Sequence, residues 1–191
     1  YQNTATGPFP AAPIWVAAPS LNISATCTDS AGGTGTYASP ALVDLNGDGK
    51  VDLFIGTRNG TCAFQNTGSA TVPVWTRKTS WDVLGLPTNR FYNPSLADLN
   101  GDGAVDLMLG TAAYQNIANP PSAGPVWVAN TNWNLFLIFS AAPALADLDA
   151  DGKVDMLVGD LDGTVHAFKN TGTTAAPVWE SAGPWYIPDP S

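Results

Sequence analysis

Apolar, β-leaning runs alternate along this chain with turns rich in Gly, Asn and Asp, and the alternation repeats. Five landmarks recur in a fixed order. A Pro-led run comes first, at 40–43, 94–97 and 143–146, and an acidic stretch follows it, beginning at Asp44, Asp98 and Asp147. Next is an apolar run from Val51 to Gly56, Val105 to Gly110 and Val154 to Gly159. An aromatic-x-Asn motif and then a Pro-x-Trp motif close each unit, at Phe64-Gln65-Asn66 and Pro73-Val74-Trp75, Tyr114-Gln115-Asn116 and Pro125-Val126-Trp127, and Phe168-Lys169-Asn170 and Pro177-Val178-Trp179. The same two motifs stand at the start of the chain, as Tyr1-Gln2-Asn3 and Pro13-Ile14-Trp15, so the tryptophans are 60, 52 and 52 residues apart.

Each unit reads as four short strands. Strand one is the Pro-led run, and strand two is the apolar run after the acidic loop. A tight turn, Arg58-Asn59-Gly60 or Leu161-Asp162-Gly163, supplies the positive φ that a short hairpin needs and leads into strand three, which ends on aromatic-x-Asn. Strand four carries Pro-x-Trp. The middle unit passes from Gly110 to Tyr114 in four residues, so its second hairpin is expected to be clipped or irregular. Four antiparallel strands in about 50 residues match a propeller blade. The expected fold is therefore all-β, with three complete blades (39–86, 87–136, 137–191) and a half-blade with an insert (1–38) in one repeat domain, 1–191. A single four-stranded blade cannot bury both faces, so the tryptophans and the apolar residues of strand two are expected to fill the space between blades. An open stack leaves edges that invite association. Tyr1 marks a processed or cut end, and either a longer chain or further copies would complete the stack.

Composition agrees with strands and turns. Nineteen glycines and 16 prolines exceed a sixth of the 191 residues, only 12% are charged, and 45% hydrophobic content argues against disorder. The longest apolar run, Leu135 to Phe139, is too short to cross a bilayer. Five such residues in a row need cover on both faces, from neighbouring blades or from a partner subunit. A formal charge of −9 repels nucleic acid and anionic membranes.

Ten of the 16 acids fall in three nine-residue windows, 44–52, 98–106 and 147–155. Such crowding is unfavourable without a counter-ion. Read by place, the first loop offers Asp44, Asn46 and Asp48 at places 1, 3 and 5, the carbonyl of Lys50 at place 7, and Asp52 at place 9. The second offers Asp98, Asn100, Asp102, the carbonyl of Ala104, and Asp106, and the third Asp147, Asp149, Asp151, the carbonyl of Lys153, and Asp155. Alternate side chains on a tight loop converge on one point, and all-oxygen ligands suit calcium better than magnesium. Place 12, where an EF-hand carries its bidentate Glu, holds Ile55, Leu109 and Val158, which excludes that motif. Three calcium ions would bring the net charge from −9 to −3.

Together, Pro-x-Leu-Ala/Val-Asp-Leu-Asn-Gly-Asp-Gly-x-Val-Asp-Leu, the Gly-ended strand, aromatic-x-Asn-Thr-Gly and Pro-x-Trp resemble the FG-GAP/VCBS repeats of integrin-α-like propellers. The resemblance implies a β-propeller, usually seven-bladed, with structural calcium in the loop between strands one and two. This chain departs from it in having too few blades to close a ring and a shortened middle repeat.

Catalysis has little to work with. His166 is the one histidine, and neither a nucleophile elbow, a P-loop nor a zinc spacing is present. The leading expectation is a non-enzymatic extracellular structural or adhesion protein, part of an assembly of subunits or of a longer secreted chain. The alternatives are a carbohydrate-binding module, with Tyr37, Trp81, Tyr92 and Trp133 as stacking faces, or a propeller attached to a polysaccharide-active enzyme. Arg58, Arg77, Lys78 and Arg90 are too dispersed for an acidic-glycan cleft. Sequons at Asn22 and Asn59 would accept N-glycans, and Cys27 and Cys62 would form one disulfide if they meet.

Overall fold

The structure, a computed structural model, describes residues 2–3, 15–16, 27, 35–87, 90–119, 123–135 and 141–183. Asn22 and the apolar stretch 136–139 lie outside them. Fourteen strands are present among the described residues, and all their pairings are antiparallel. Strands β1 (Gln2–Asn3) and β2 (Trp15–Val16) pair with each other. The remainder form three four-stranded meanders. The first blade is β3 (Ser39–Val43), β4 (Asp52–Gly56), β5 (Thr61–Asn66) and β6 (Trp75–Arg77). The second is β7 (Pro94–Ala97), β8 (Asp106–Leu109), β9 (Ala112–Asn116) and β10 (Trp127–Ala129). The third is β11 (Ala142–Ala146), β12 (Asp155–Gly159), β13 (Val165–Asn170) and β14 (Trp179–Ser181).

The second hairpin of the middle blade is clipped but regular. Leu109 pairs with Ala112, and Gly110 (φ 62°) turns the chain with Thr111 alone beside it. Glycine tolerates that left-handed φ without steric cost, so two residues close a turn that takes four in the first blade.

Two cores lie between blades. Phe54, Ala63, Leu45, Trp81, Val83 and Tyr92 meet Leu107 and Leu109 between the first and second. Met108, Ala113, Leu99, Trp133 and Leu135 meet Met156 and Val158 between the second and third. Strand two is the centre of each, because both of its faces are covered. A third, smaller cluster joins Leu53, Cys62 and Phe64 to Cys27, Ile55 and Trp75 on the other face of the first blade, where a Cys27–Cys62 disulfide crosses (Cα–Cα 5.8 Å).

Each blade holds the next by one repeated device. A 3-10 turn follows strand four, Thr79–Trp81 in the first blade and Thr131–Trp133 in the second, and it buries its tryptophan between sheets. The Pro-x-Trp indole of the following blade donates to that tryptophan's carbonyl: Trp127 Nε1 to Trp81 O and Trp179 Nε1 to Trp133 O, both 2.8 Å. Trp75 Nε1 is buried too, yet it finds no acceptor among the described residues.

Losing the indole donor at Trp127 orphans the Trp81 carbonyl between blades. Trp127→Phe is therefore expected to destabilise the protein by about 1–2 kcal/mol, measured by denaturant unfolding. Unchanged stability would refute the inter-blade bond.

Candidate metal centres

The three acidic loops join strand one to strand two at the same end of each blade: 44–51 between β3 and β4, 98–105 between β7 and β8, and 147–154 between β11 and β12. Strand one delivers the place 1 aspartate as it leaves the sheet. That carboxylate then caps the turn. Asp44 Oδ1 accepts from Gly47 N at 2.7 Å and Asp48 N at 3.2 Å, and Oδ2 from Gly49 N at 2.7 Å. Asp98 does the same toward Gly101, Asp102 and Gly103, at 2.7, 3.2 and 2.9 Å. Asp147 accepts from Asp151 N and Gly152 N, at 3.2 and 3.0 Å. The place 6 glycines have φ of 79°, 86° and 83°, the left-handed turn that folds the loop on itself.

Places 3 and 5 are drawn together inside that turn. Asn46 Nδ2 donates to Asp48 Oδ2 at 3.3 Å, and Asn100 Nδ2 to Asp102 Oδ2 at 2.9 Å. In the third loop Asp147, Asp149 and Asp151 present carboxylate oxygens within 4.8 Å of one another. These side chains are exposed in the third loop, while Asn46 and Asn100 are buried. Oxygen donors of this kind, on a glycine-turned loop, fit a hard divalent cation such as calcium.

Place 9 has a structural task beside the ligand role the sequence suggests. Asp52, Asp106 and Asp155 are fully buried, and both oxygens of each accept backbone N–H groups. Oδ2 takes the N–H of the second loop residue, Leu45, Leu99 or Leu148, at 3.0 Å each. Oδ1 takes the N–H of the asparagine ending strand three, Asn66, Asn116 or Asn170, at 2.8, 2.8 and 2.9 Å. The carboxylate thereby ties the loop to the sheet. Free lone pairs remain on its oxygens for an ion, but its first task is this clamp.

The strand-three asparagines continue the chain of bonds. Asn66 Oδ1 accepts from Gly68 N and Val74 N, Asn116 Oδ1 from Ala118 N and Val126 N, and Asn170 Oδ1 from Gly172 N and Val178 N. Their recurrence was the sequence signal, but their role in closing the turn from strand three to strand four was not legible there.

Burial pushes the Asp106 carboxyl up to about 6, against the pull of the Asn116 and Leu99 N–H groups, with Asp102 and Asp98 adding to the rise. Asp52 is raised for the same first reason. His166 sits on β13, and its Nε2 lies 2.8 Å from Asp160 Oδ2 in the neighbouring turn. Of the four aromatics considered for sugar stacking, Trp81, Tyr92 and Trp133 are core residues, and Tyr37 is 69% exposed. Asn59 lies in the β4–β5 turn, where the Thr61 hydroxyl of its sequon accepts from Val83 N at 2.9 Å.

A raised carboxyl means that the folded state takes up a proton more readily than the unfolded chain. Between pH 7 and about pH 5, protonation of Asp106 therefore adds stability as pH falls, and that gain is lost as pH rises through about 6; the raised Asp52 acts in the same direction. In chelator, urea unfolding is expected to show a more stable protein at pH 5 than at pH 7, with a shallower slope for Asp106→Asn. Stability that climbs with pH across this window would contradict the assignment.

Comparison with known proteins agrees with this geometry. Residues 44–109 match the family model described as an FG-GAP-like repeat, covering the first loop and the second through the end of β8. Neither a curated protein nor a solved structure matches the chain. The chain thus carries an FG-GAP-like repeat over residues 44–109, within a fold that sets its loops at the same place in three four-stranded blades.

Proposed function

We propose that this protein is a calcium-stabilised, extracellular structural or adhesion protein, a non-enzymatic stack of blades that joins other subunits or further blades of a longer chain. The observation that carries the reading is the loop itself, repeated three times. Each has an oxygen-lined turn at the same end of its blade and a buried carboxylate beneath it. Repetition suits a scaffold, since a catalytic centre needs one set of groups rather than three.

Calcium would be held by Asp44, Asn46, Asp48, the Lys50 carbonyl and Asp52, and by the matching residues of the other two loops, and its charge would offset crowded carboxylates. The chain's own residues do the rest. Place 1 caps the turn, place 9 ties it to strand three, and the blade core sets the spacing. The Cys27–Cys62 disulfide and the sequons support an oxidising, secreted setting.

Assembly is supported by the two outer blade faces. Leu45 and Leu99 are each 2% exposed because the next blade covers them, while Leu148 at the same place in the third blade is 44% exposed. On the opposite side, Leu42 is 62% exposed, and its equivalents Leu96 and Leu145 are partly buried against the preceding blade. The two faces are thus a donor and an acceptor of the same contact. As a carbohydrate binder the chain would have Tyr37 alone of the four aromatics presented to solvent.

Elemental analysis after dialysis against calcium is expected to find three ions per chain, and chelation to lower the melting temperature by several degrees, as loss of a ligand bound only by the folded state requires. A calcium-free protein with an unchanged melting temperature would defeat the reading.

A further inference from the structure

The three loops differ in one linked pair of positions. Place 3 is Asn46, then Asn100, then Asp149, and the residue before the strand-three asparagine is Gln65, then Gln115, then Lys169. An extra acid and an extra base therefore arrive together in the third blade, and the fold brings them into contact. Lys169 Nζ, reaching from β13, donates to Asp149 Oδ2 and to Asp151 Oδ2, the second at 3.2 Å. Lys153 Nζ lies 3.3 Å from the same Asp151 oxygen. In the other two loops the place 5 oxygen receives the amide of the place 3 asparagine, and in the first Lys50 Nζ also lies 3.2 Å from it, as Lys153 does in the third. Asp149 has no amide to offer, and the Lys169 ammonium does that work from the neighbouring strand.

Charge follows the same rule. With the lysines that touch them, the first loop sums to −2 (three carboxylates minus Lys50), the second to −3, and the third to −2 (four minus Lys153 and Lys169), so the fourth carboxylate comes with Lys169 to offset it. We propose that Lys169 is a tethered cation that holds the third loop closed without calcium and competes with calcium for Asp149 and Asp151, making this the weakest of the three sites. The inference rests on the calcium reading above. Both oxygens that Lys169 holds belong to the ligand set, so calcium must displace the ammonium or bind beside a positive charge. The lysine side chain is 34% exposed on a flexible stem and swings out at modest cost, which makes the competition partial. If the contact were only a loose surface ion pair, the fourth carboxylate would instead make the third site the tightest.

Calorimetric titration of calcium into the decalcified full chain separates these cases. Wild type is expected to show two tighter binding events and one weaker, with Asp147→Asn removing the weaker. Lys169→Gln should tighten that event roughly tenfold, while Lys169→Arg, which keeps the charge, should leave it within about twofold of wild type. In chelator Lys169→Gln should melt below wild type. A third site that is the tightest in wild type, or one that Lys169→Gln leaves unchanged, overturns the role of Lys169 and leaves calcium binding intact. No calcium heat from wild type at millimolar concentration overturns the calcium reading itself, and this inference with it.

Discussion

One buried carboxylate per blade is the interaction on which the rest depends. Asp52, Asp106 and Asp155 stand at the first residue of strand two, with no exposed surface, at the junction of loop and sheet. Removing a carboxylate from water is costly unless its lone pairs are filled. Here two backbone N–H groups fill them, one from the loop and one from the end of strand three. The pairing fixes where the loop starts, where strand two begins and where strand three stops. Burial pushes the Asp106 carboxyl up to about 6 even with both of those N–H groups in place. A divalent ion in the turn above would act in the opposite direction, favouring the charged form of every acid around it.

Stacking then turns a blade into part of a domain. A four-stranded sheet of this length has two apolar faces, and only neighbours on both sides bury them. The molecule meets that demand with two matching cores, each sealed by a tryptophan indole donating across to the previous blade's 3-10 turn. Secondary links repeat as well: Ala63 N donates to Asp82 Oδ1 and Ala113 N to Asn134 Oδ1, so the turn after strand four also ties back to strand three. Stability in such a stack is a sum of blade and neighbour contributions, and the outermost faces are the ones left short. Leu42 and Leu148 show where.

Much of this was legible in the sequence, because repeats make chemistry visible three times over. The loop pattern, the order of four strands and the tryptophan landmarks each correspond to observed elements. What escaped were roles rather than positions. Asp52, Asp106 and Asp155 read as ligands because they end an alternation of oxygen donors, and the clamp they also form was not foreseen. The feature that marks them as buried clamps is the apolar pair after each, Leu53-Phe54, Leu107-Met108 and Met156-Leu157, since strand two enters the core there. Asn66, Asn116 and Asn170 were landmarks without a task, because their bonds run to residues two and eight or ten places on, across a turn of variable length. Trp81 and Trp133 were expected to pack between blades before serving a sugar, and each does, six residues after a Pro-x-Trp tryptophan. Lys169 replaces the glutamine of the other two blades where Asp149 replaces their asparagine, a linked change that no single repeat displays.

Native-state amide hydrogen exchange of the calcium-free protein tests the buried clamp most directly. The N–H groups of Leu45 and Leu99 lie in acidic loops, and those of Asn66, Asn116 and Asn170 at strand ends, where exchange is ordinarily fast. If the place 9 carboxylates weld loop to sheet, these amides exchange as slowly as those of strand two. Exchange at the rate of the exposed glycines in the same turns would mean that the loops are not anchored by the protein, and that the account built on those carboxylates is wrong.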